Sequence, residues 1–344
     1  MRQARVRRLG DDSAADWDEF VSSRPDGSFF HLSGWRIVFE ESLGHRCHHL
    51  FVERDGKITG VLPLVHLRSR LFGNALVSSP FCVLGGPVAE DPGCLAELDA
   101  AAADLATELG VDYLEYRLCQ ASKRDWPRQD SLYALFRRQL SPDPDAVLRS
   151  VPRKRRAMIR KAVAGGLRGV SDGGIERFYP LFATNVRNLG TPVLPRAYFE
   201  CLRRVFGPAC QITTVERSGQ ALSSVLSFVF RDAILPYHGG SGPAGREFAA
   251  NDFMYWEVMR RACEAGLATF DFGRSKRGTG SFEYKSIWGF EPEPLSYEYL
   301  LLKRSSIPEI NPLNPKYRLA IAAWKRLPLP IANWLGPRLA RNLG

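Results

Sequence analysis

Apolar and polar positions along the chain fall into two similar series of predicted elements. The first opens with a helix over 14–22, followed by SFFHLSGWRIVFEESLG, in which Phe30, Trp35, Val38 and Phe39 share one helical face. Residues 48–53 and 58–67 alternate on either side of a turn at Asp55 and Gly56, which predicts a β-hairpin. A further apolar run over 75–84 ends at Gly85, Gly86 and Pro87. An Ala-rich helix over 94–109 then stops at Gly110, and 113–118 returns as a strand.

Pro142, Pro144 and Pro152 mark a junction around 140–151, after which the pattern restarts. Helices are predicted over 175–189 and 196–206, then strands over 210–216, 221–231 and 233–238. A helix over 251–265, a strand over 269–273, a helix over 282–288 and a strand over 295–302 complete the series. Helices, a hairpin, a strand, a helix and a strand thus occur twice, which predicts a duplicated α/β unit of mixed sheets. The expected domains are 1–140 and 141–305, with a separate tail over 306–344.

The length of 344 residues agrees with two domains. Hydrophobic residues at 45% and charged residues at 24% exclude a disordered chain and a polytopic membrane protein. The net charge of +10 points to an anionic partner: a phosphorylated substrate, tRNA or a membrane surface. Seven cysteines without CxxC or metal-like spacing predict a reduced compartment and no metal centre. Arg2, Arg5, Arg7 and Arg8 are followed by acidic residues rather than by the apolar segment of a signal peptide. No stretch approaches the roughly 20 apolar residues of a spanning helix, so the cytoplasm is the expected address.

The positive charge is concentrated in two places. In RKRRAMIRKAVAGGL, the residues Arg153, Lys154, Arg155, Arg156, Arg160 and Lys161 have no acidic residue among them. The segment reads either as a solvated helix face or as a phosphate-binding helix, with Arg160 and Lys161 as candidate clamps for a nucleotide or lipid-pyrophosphate acceptor. The tail over 310–344 carries Lys316, Arg318, Lys325, Arg326, Arg338 and Arg341 and no Asp or Glu. Tyr317, Ile321, Trp324 and Leu327 share a face, and Ile331, Trp334 and Leu335 extend it. Such a segment suits peripheral attachment to the anionic inner face of the cytoplasmic membrane; docking on the protein's own body is the alternative.

The second series also holds the candidate site. The strands over 233–238 and 269–273 both end near a Gly-rich stretch containing Gly239, Gly240, Gly242 and Gly245, and open α/β sheets place ligands at such strand ends. The run YHGGS, a variable loop, YWEVMRRACEAG, FDFGRS and F-x-x-K-x-x-W-G-F (Phe282 to Phe290) resembles the FemAB-type acyltransferases. RKRRAMIRKA, NLGTPVLPRAYF and NPKYRLAIAAW are similar to the FemAB-like proteins of exosortase (PEP-CTERM) exopolysaccharide systems. The resemblance covers most of the chain and is strongest from Arg153 onward.

The resemblance implies tandem domains of the GCN5-related N-acetyltransferase (GNAT) fold, with activity centred on the second. It implies N-acylation of an amino group on a cell-envelope or exopolysaccharide precursor, with acyl-CoA or aminoacyl-tRNA as co-substrate and no tightly bound cofactor. The implied partners are a phosphorylated or lipid-linked sugar precursor and, for an aminoacyl donor, tRNA. The long helical hairpin of some classical members is absent, and GGSGPAGRE is Gly-rich without matching the Q/R-x-x-G-x-G/A pyrophosphate loop. Both donors therefore stay open.

Acyl transfer to an amine needs a deprotonated amine, an aligned carbonyl and a stabilised oxyanion. Lys285 occupies the F-x-x-K position and is the candidate to stabilise the oxyanion or a donor phosphate; Trp288 is a candidate substrate contact from the same run. His238 is the candidate base, since an imidazole can accept a proton near neutral pH. Tyr237, also a candidate substrate contact, would face the opposite side of a regular strand. At the end of the next strand Asp271 is a further candidate catalytic residue, and Arg274 and Ser275 are candidate substrate contacts; Asp271 or Arg274 could orient substrate polar groups. Gly239, Gly240 and Ser241 are candidate donor-binding residues, together with Asn251 at the start of a helix whose free N–H groups suit a phosphate. Asn251 and Asp252 read equally as caps of that helix. Arg187, Asn188 and Thr191 are candidate acceptor contacts or loop architecture. Two non-enzymatic readings remain: a binding protein that recruits a lipid-linked glycan to a membrane assembly, and a tRNA-binding module built on the basic helix.

Overall fold

The structure is a computed structural model that describes residues 5–69, 73–308 and 318–344. In chain order the first elements are β1 (Arg5–Arg8), α1 (Ala14–Ser23), α2 (Gly34–Ile37), β2 (Arg46–Cys47) and β3 (Leu50–Arg54). There follow β4 (Lys57–Leu62), β5 (Leu64–Ser69), β6 (Gly73–Ser78), β7 (Val88–Ala89), α3 (Pro92–Glu108), β8 (Tyr113–Leu118), β9 (Arg128–Gln129) and β10 (Tyr133–Gln139). The middle of the chain holds α4 (Pro144–Ser150), α5 (Arg153–Ala164), β11 (Arg168–Asp172), α6 (Phe178–Leu189) and α7 (Arg196–Phe206). Next come β12 (Cys210–Arg217), β13 (Gln220–Phe230), β14 (Ala233–Ser241), α8 (Pro243–Glu247) and α9 (Ala250–Glu264). The last elements are β15 (Thr269–Lys276), α10 (Gly280–Ser286), β16 (Pro292–Pro294), β17 (Ser296–Leu301), α11 (Arg318–Arg326) and α12 (Leu329–Ala340).

These elements group into two units. The first comprises 1–132, 294–311 and 341–344; the second comprises 133–293 and 312–340. In the first unit, sheets of order β1-β3-β4-β7 and β2-β5-β6-β8-β17-β9 share a core in which Leu50, Leu62, Leu76, Leu98, Leu105 and Leu114 are buried. Asp91 caps α3 by accepting from the Cys94 N–H at 2.8 Å, and Pro92 fills the first helical position, where a missing N–H costs nothing. The helix returns the chain so that β6 and β8 pair in parallel through Ala75 and Tyr113. The aromatic stretch after α1 is broken into short 3-10, α and π turns, yet Phe30, Trp35, Val38 and Phe39 are all buried.

The second unit repeats this arrangement around one sheet of order β11-β12-β13-β14-β15-β10-β16. Here α9 is the crossover, its Phe253, Met254, Val258, Met259 and Ala262 buried against the sheet, and β14 and β15 are the parallel pair. Each parallel pair is completed by a strand from the other half of the sequence. β17 pairs antiparallel with β8 in the first unit, and β10 pairs antiparallel with β15 in the second. The expected boundaries at 140 and 305 differ from this partition: 133–140 fall in the second unit and 294–305 in the first.

Candidate active site

β14 and β15 form ladder pairs only at Ala233↔Thr269 and Ile234↔Phe270, although β14 continues to Ser241 and β15 to Lys276. Beyond Ile234 the two strands part, and each continuation is held by a side chain from a different helix. Asn185 Nδ2 on α6 donates to the Gly239 carbonyl at 3.2 Å. Lys285 Nζ on α10 donates to the carbonyls of Gly273 and Arg274, both at 3.0 Å. Thr279 holds α10 in place, its hydroxyl accepting from the Phe282 N–H at the N-cap.

Lys285 lies near Phe136 and Phe272, with Nζ 5.7 and 5.5 Å from their ring centroids. Burial drives its ammonium down to about 7, against the opposing pull of the Asp271 carboxylate. Burial likewise raises Asp271 to about 6, although it accepts the Gly273 N–H at 2.7 Å and lies near Lys285 and Arg137. Directly across the strand pair, Arg137 is matched to Asp271 and bridges to Glu293 at 2.8 Å. The structure therefore brings two expected residues near enough for their charges to act on one another, and burial pushes the pKa values of both toward neutrality.

His238 and Tyr237 depart from the regular strand that the sequence predicts. The β13–β14 register jumps from Leu226↔His238 to Ser227↔Pro236, leaving Tyr237 as the extra residue of a bulge. The Tyr237 ring packs 5.4 Å from Phe228 and 4.8 Å from His238, so the two side chains are neighbours instead of facing opposite ways. Phe182, Tyr198 and Phe199 surround the imidazole with ring centroids at 5.4, 5.8 and 5.2 Å. Its Nε2 is inaccessible and has no hydrogen-bond partner among the described residues. Burial lowers its pKa to about 3, so His238 is neutral at physiological pH and a weaker proton acceptor there than an ordinary histidine.

Several other expected contacts are committed to the protein itself. Gly239 and Gly240 belong to β14 rather than to a loop, and a Cβ on Gly240 would lie 2.5 Å from the Leu181 carbonyl oxygen. That glycine lets α6 lie close on the strand. Ser241 donates to the carbonyls of Leu222 and Gly242. Arg187 donates to the Lys325 carbonyl of α11 at 3.1 Å, while Asn188 and Thr191 are exposed. Trp288 lies past the end of α10 and is fully buried beside Tyr255, Phe272 and Tyr284, so it offers no surface to a ligand. Ser275 is 4% exposed, and Arg274 stacks over Tyr133 at 4.7 Å.

Neither Asn251 nor Asp252 caps α9. The N-cap is Ala249, in left-handed geometry with φ 54°, and it supplies no side-chain cap; Asn251 and Asp252 lie in the first turn. Asp252 instead accepts from Arg155 Nη1 at 3.0 Å and from the Tyr284 hydroxyl at 3.0 Å. This ties the basic α5 to α10 through α9. Arg153, Lys154, Arg160 and Lys161 remain exposed on α5. Asn185 and Tyr284 were missed by sequence reasoning. Tyr284, next to Lys285, could have been noticed; Asn185 carried no local signal.

Residues 149–286 match the model of the acetyltransferase (GNAT) domain. No curated protein matches the chain. The crystal structure of FemX superposes with a TM-score of 0.67 at 15% identity, over 92% of this chain and 100% of that one. A tandem GNAT protein of the clavulanic acid biosynthesis pathway gives 0.53 at 14% identity, over 88% of this chain and 100% of that one. The fold is that of tandem GNAT proteins. It is also similar to the C-terminal domain of a protein named as a lysylphosphatidylglycerol synthetase from Agrobacterium fabrum, with a TM-score of 0.56 at 12% identity over 86% of this chain and 92% of that one.

Proposed function

We propose that the second unit transfers an acyl or aminoacyl group from acyl-CoA or aminoacyl-tRNA to an amine of a cell-envelope or exopolysaccharide precursor. The observation that carries this reading is the parting of β14 and β15 beside the Lys285–Asp271 pair, within the segment that matches the acetyltransferase domain. Strands that part expose unpaired backbone groups, and an extended donor can hydrogen-bond along them as an added strand would. The resemblance of the F-x-x-K run to FemAB-type proteins supports the amine acceptor. A GNAT fold shared with a lysylphosphatidylglycerol synthetase domain agrees with an aminoacyl donor as well as with a CoA thioester.

In this reading the amine nitrogen attacks the donor carbonyl, an N–C bond forms, and the thioester or ester bond breaks. The Lys285 ammonium stabilises the oxyanion that develops between these events. Asp271 holds Lys285 in its charged form and accepts the amine proton, which passes to the leaving thiol or hydroxyl. Tyr237 contacts the acceptor from the bulge, its ring set by the enclosed His238 imidazole. Arg160 and Lys161 on α5 engage its phosphates.

The test incubates the purified chain with a panel of acyl-CoAs and aminoacyl-tRNAs and with amino-sugar acceptors, and follows products by mass spectrometry. Product formation that is lost in Lys285→Ala is expected. Ligand retention without turnover in the wild type would favour the glycan-recruiting reading instead.

A further inference from the structure

We propose that the outer face of the α11–α12 pair is a docking surface for an anionic lipid bilayer. The sequence pattern leaves open whether this tail rests on the protein or on a membrane; within the second unit its two faces do different things. The inner face of α12 is a row of small residues, Ala332, Gly336 and Ala340, at one-turn spacing and buried. A Cβ on Gly336 would lie 2.9 Å from the backbone nitrogen of Val193, so this helix lies directly on the chain beneath it. α11 crosses the end of α6 at Gly190, where a Cβ would meet Ile321 at 2.5 Å, and Arg187 binds its last turn. Ile321 and Trp324 are thereby half-covered.

The large apolar side chains left over point outward. Leu319 is 86% exposed, Trp334 64% and Ile331 45%, and Leu189 beside Gly190 is 63% exposed. Ile331, Trp334 and Arg338 follow at helical spacing on the face of α12 opposite its small residues, and the Arg338 guanidinium lies 4.5 Å above the Trp334 ring.

Charge selects the occupant. From the start of α11 to the end of α12 the chain carries Arg318, Lys325, Arg326 and Arg338 and no acidic residue, so the surface complements a uniformly negative face rather than a protein surface of mixed sign. Tryptophan and arginine on a short amphipathic helix suit the depth at which acyl chains meet headgroups. No helix among the described residues is long and apolar enough to cross a bilayer, so the contact is peripheral.

The test floats the full chain with phosphatidylcholine vesicles that contain or lack phosphatidylglycerol, without donor or acceptor, so the outcome does not depend on the proposed chemistry. Flotation with the anionic vesicles, weakened by salt, is expected. A Leu319→Ser/Ile331→Ser/Trp334→Ser variant should bind about tenfold or more weakly. Trp334→Ser alone should give a smaller loss, and it serves if the triple variant melts early. Failure of the wild type to float on anionic vesicles, or equal flotation of the triple variant, would overturn the proposal. So would a concentration-dependent dimer that the triple variant loses, because a second copy would then cover the face.

Discussion

Arg155 Nη1 lies 3.2 and 3.0 Å from the two carboxylate oxygens of Asp252. One member of the basic run on α5 is thus turned inward, and its partner is 5% exposed in the first turn of α9. Removing one side of a buried pair leaves the other charge uncompensated. Asp252→Ala is expected to cost about 3 kcal/mol in urea unfolding, whereas Tyr284→Phe, which deletes one hydroxyl, should cost about 1 kcal/mol. An Arg155→Met/Asp252→Ala double variant should recover part of the loss. Equal stability of all three with the wild type would show that the triad contributes nothing.

The rate is expected to follow a narrow bell in pH. Asp271 must be ionised to accept a proton, which sets a rise through about 6; Lys285 must be charged to stabilise the oxyanion, which sets a fall through about 7. The two limbs belong to the pair rather than to either residue alone. The pH profile of kcat/KM for the wild type checks this. Lys285→Arg should retain some rate and lose the alkaline limb, since a guanidinium stays charged.

The same pair makes a statement about stability. The Lys285 pKa falls from 10.5 in the unfolded chain to about 7 in the folded one. Between those values the unfolded chain holds the extra proton, so the contribution of Lys285 to stability is largest above 10.5 and is lost as pH falls to about 7. Lys285→Met abolishes this loss. The variant should gain stability relative to the wild type as pH is lowered across that range, while activity disappears. Thermal melts at alkaline and neutral pH read the difference; a constant offset would show that Lys285 titrates normally.

Much of this was written in local pattern. The hairpin turn at Asp55 and Gly56, the stop of α3 before Gly110 and the crossover α9 all follow from periodicity and turn chemistry. The Lys285 and Asp271 positions were legible because motif and strand end coincided. The exchange of β10 and β17 was not, because a strand's alternation does not say which sheet completes it. Nor was the bulge at Tyr237, since one extra residue in YHGGS leaves no mark on composition. Trp288 misled because a tryptophan in a motif looks the same whether it faces a ligand or fills a core.

The paired glycines of β14 allow the last prediction to separate packing from ligand approach. A Cβ on Gly240 would lie 2.5 Å from the Leu181 carbonyl oxygen and 2.6 Å from the Phe182 Cα, and backbone cannot swing aside. Gly240→Ala must push α6 away, disturbing Asn185 and the Phe182 edge of the His238 box, at a cost of about 1–3 kcal/mol. On Gly239 the nearest atoms are the Tyr255 hydroxyl at 3.3 Å and the Met254 methyl at 3.6 Å, both side-chain ends that can shift. Gly239→Ala should therefore fold with nearly wild-type stability. If the donor lies against this strand where it parts from β15, the same methyl should raise KM for the donor while leaving the melting temperature unchanged. Kinetics and melts of the two variants together decide the matter: an unchanged KM in Gly239→Ala would place the donor elsewhere, and a wild-type melt for Gly240→Ala would mean that α6 is not held against this strand.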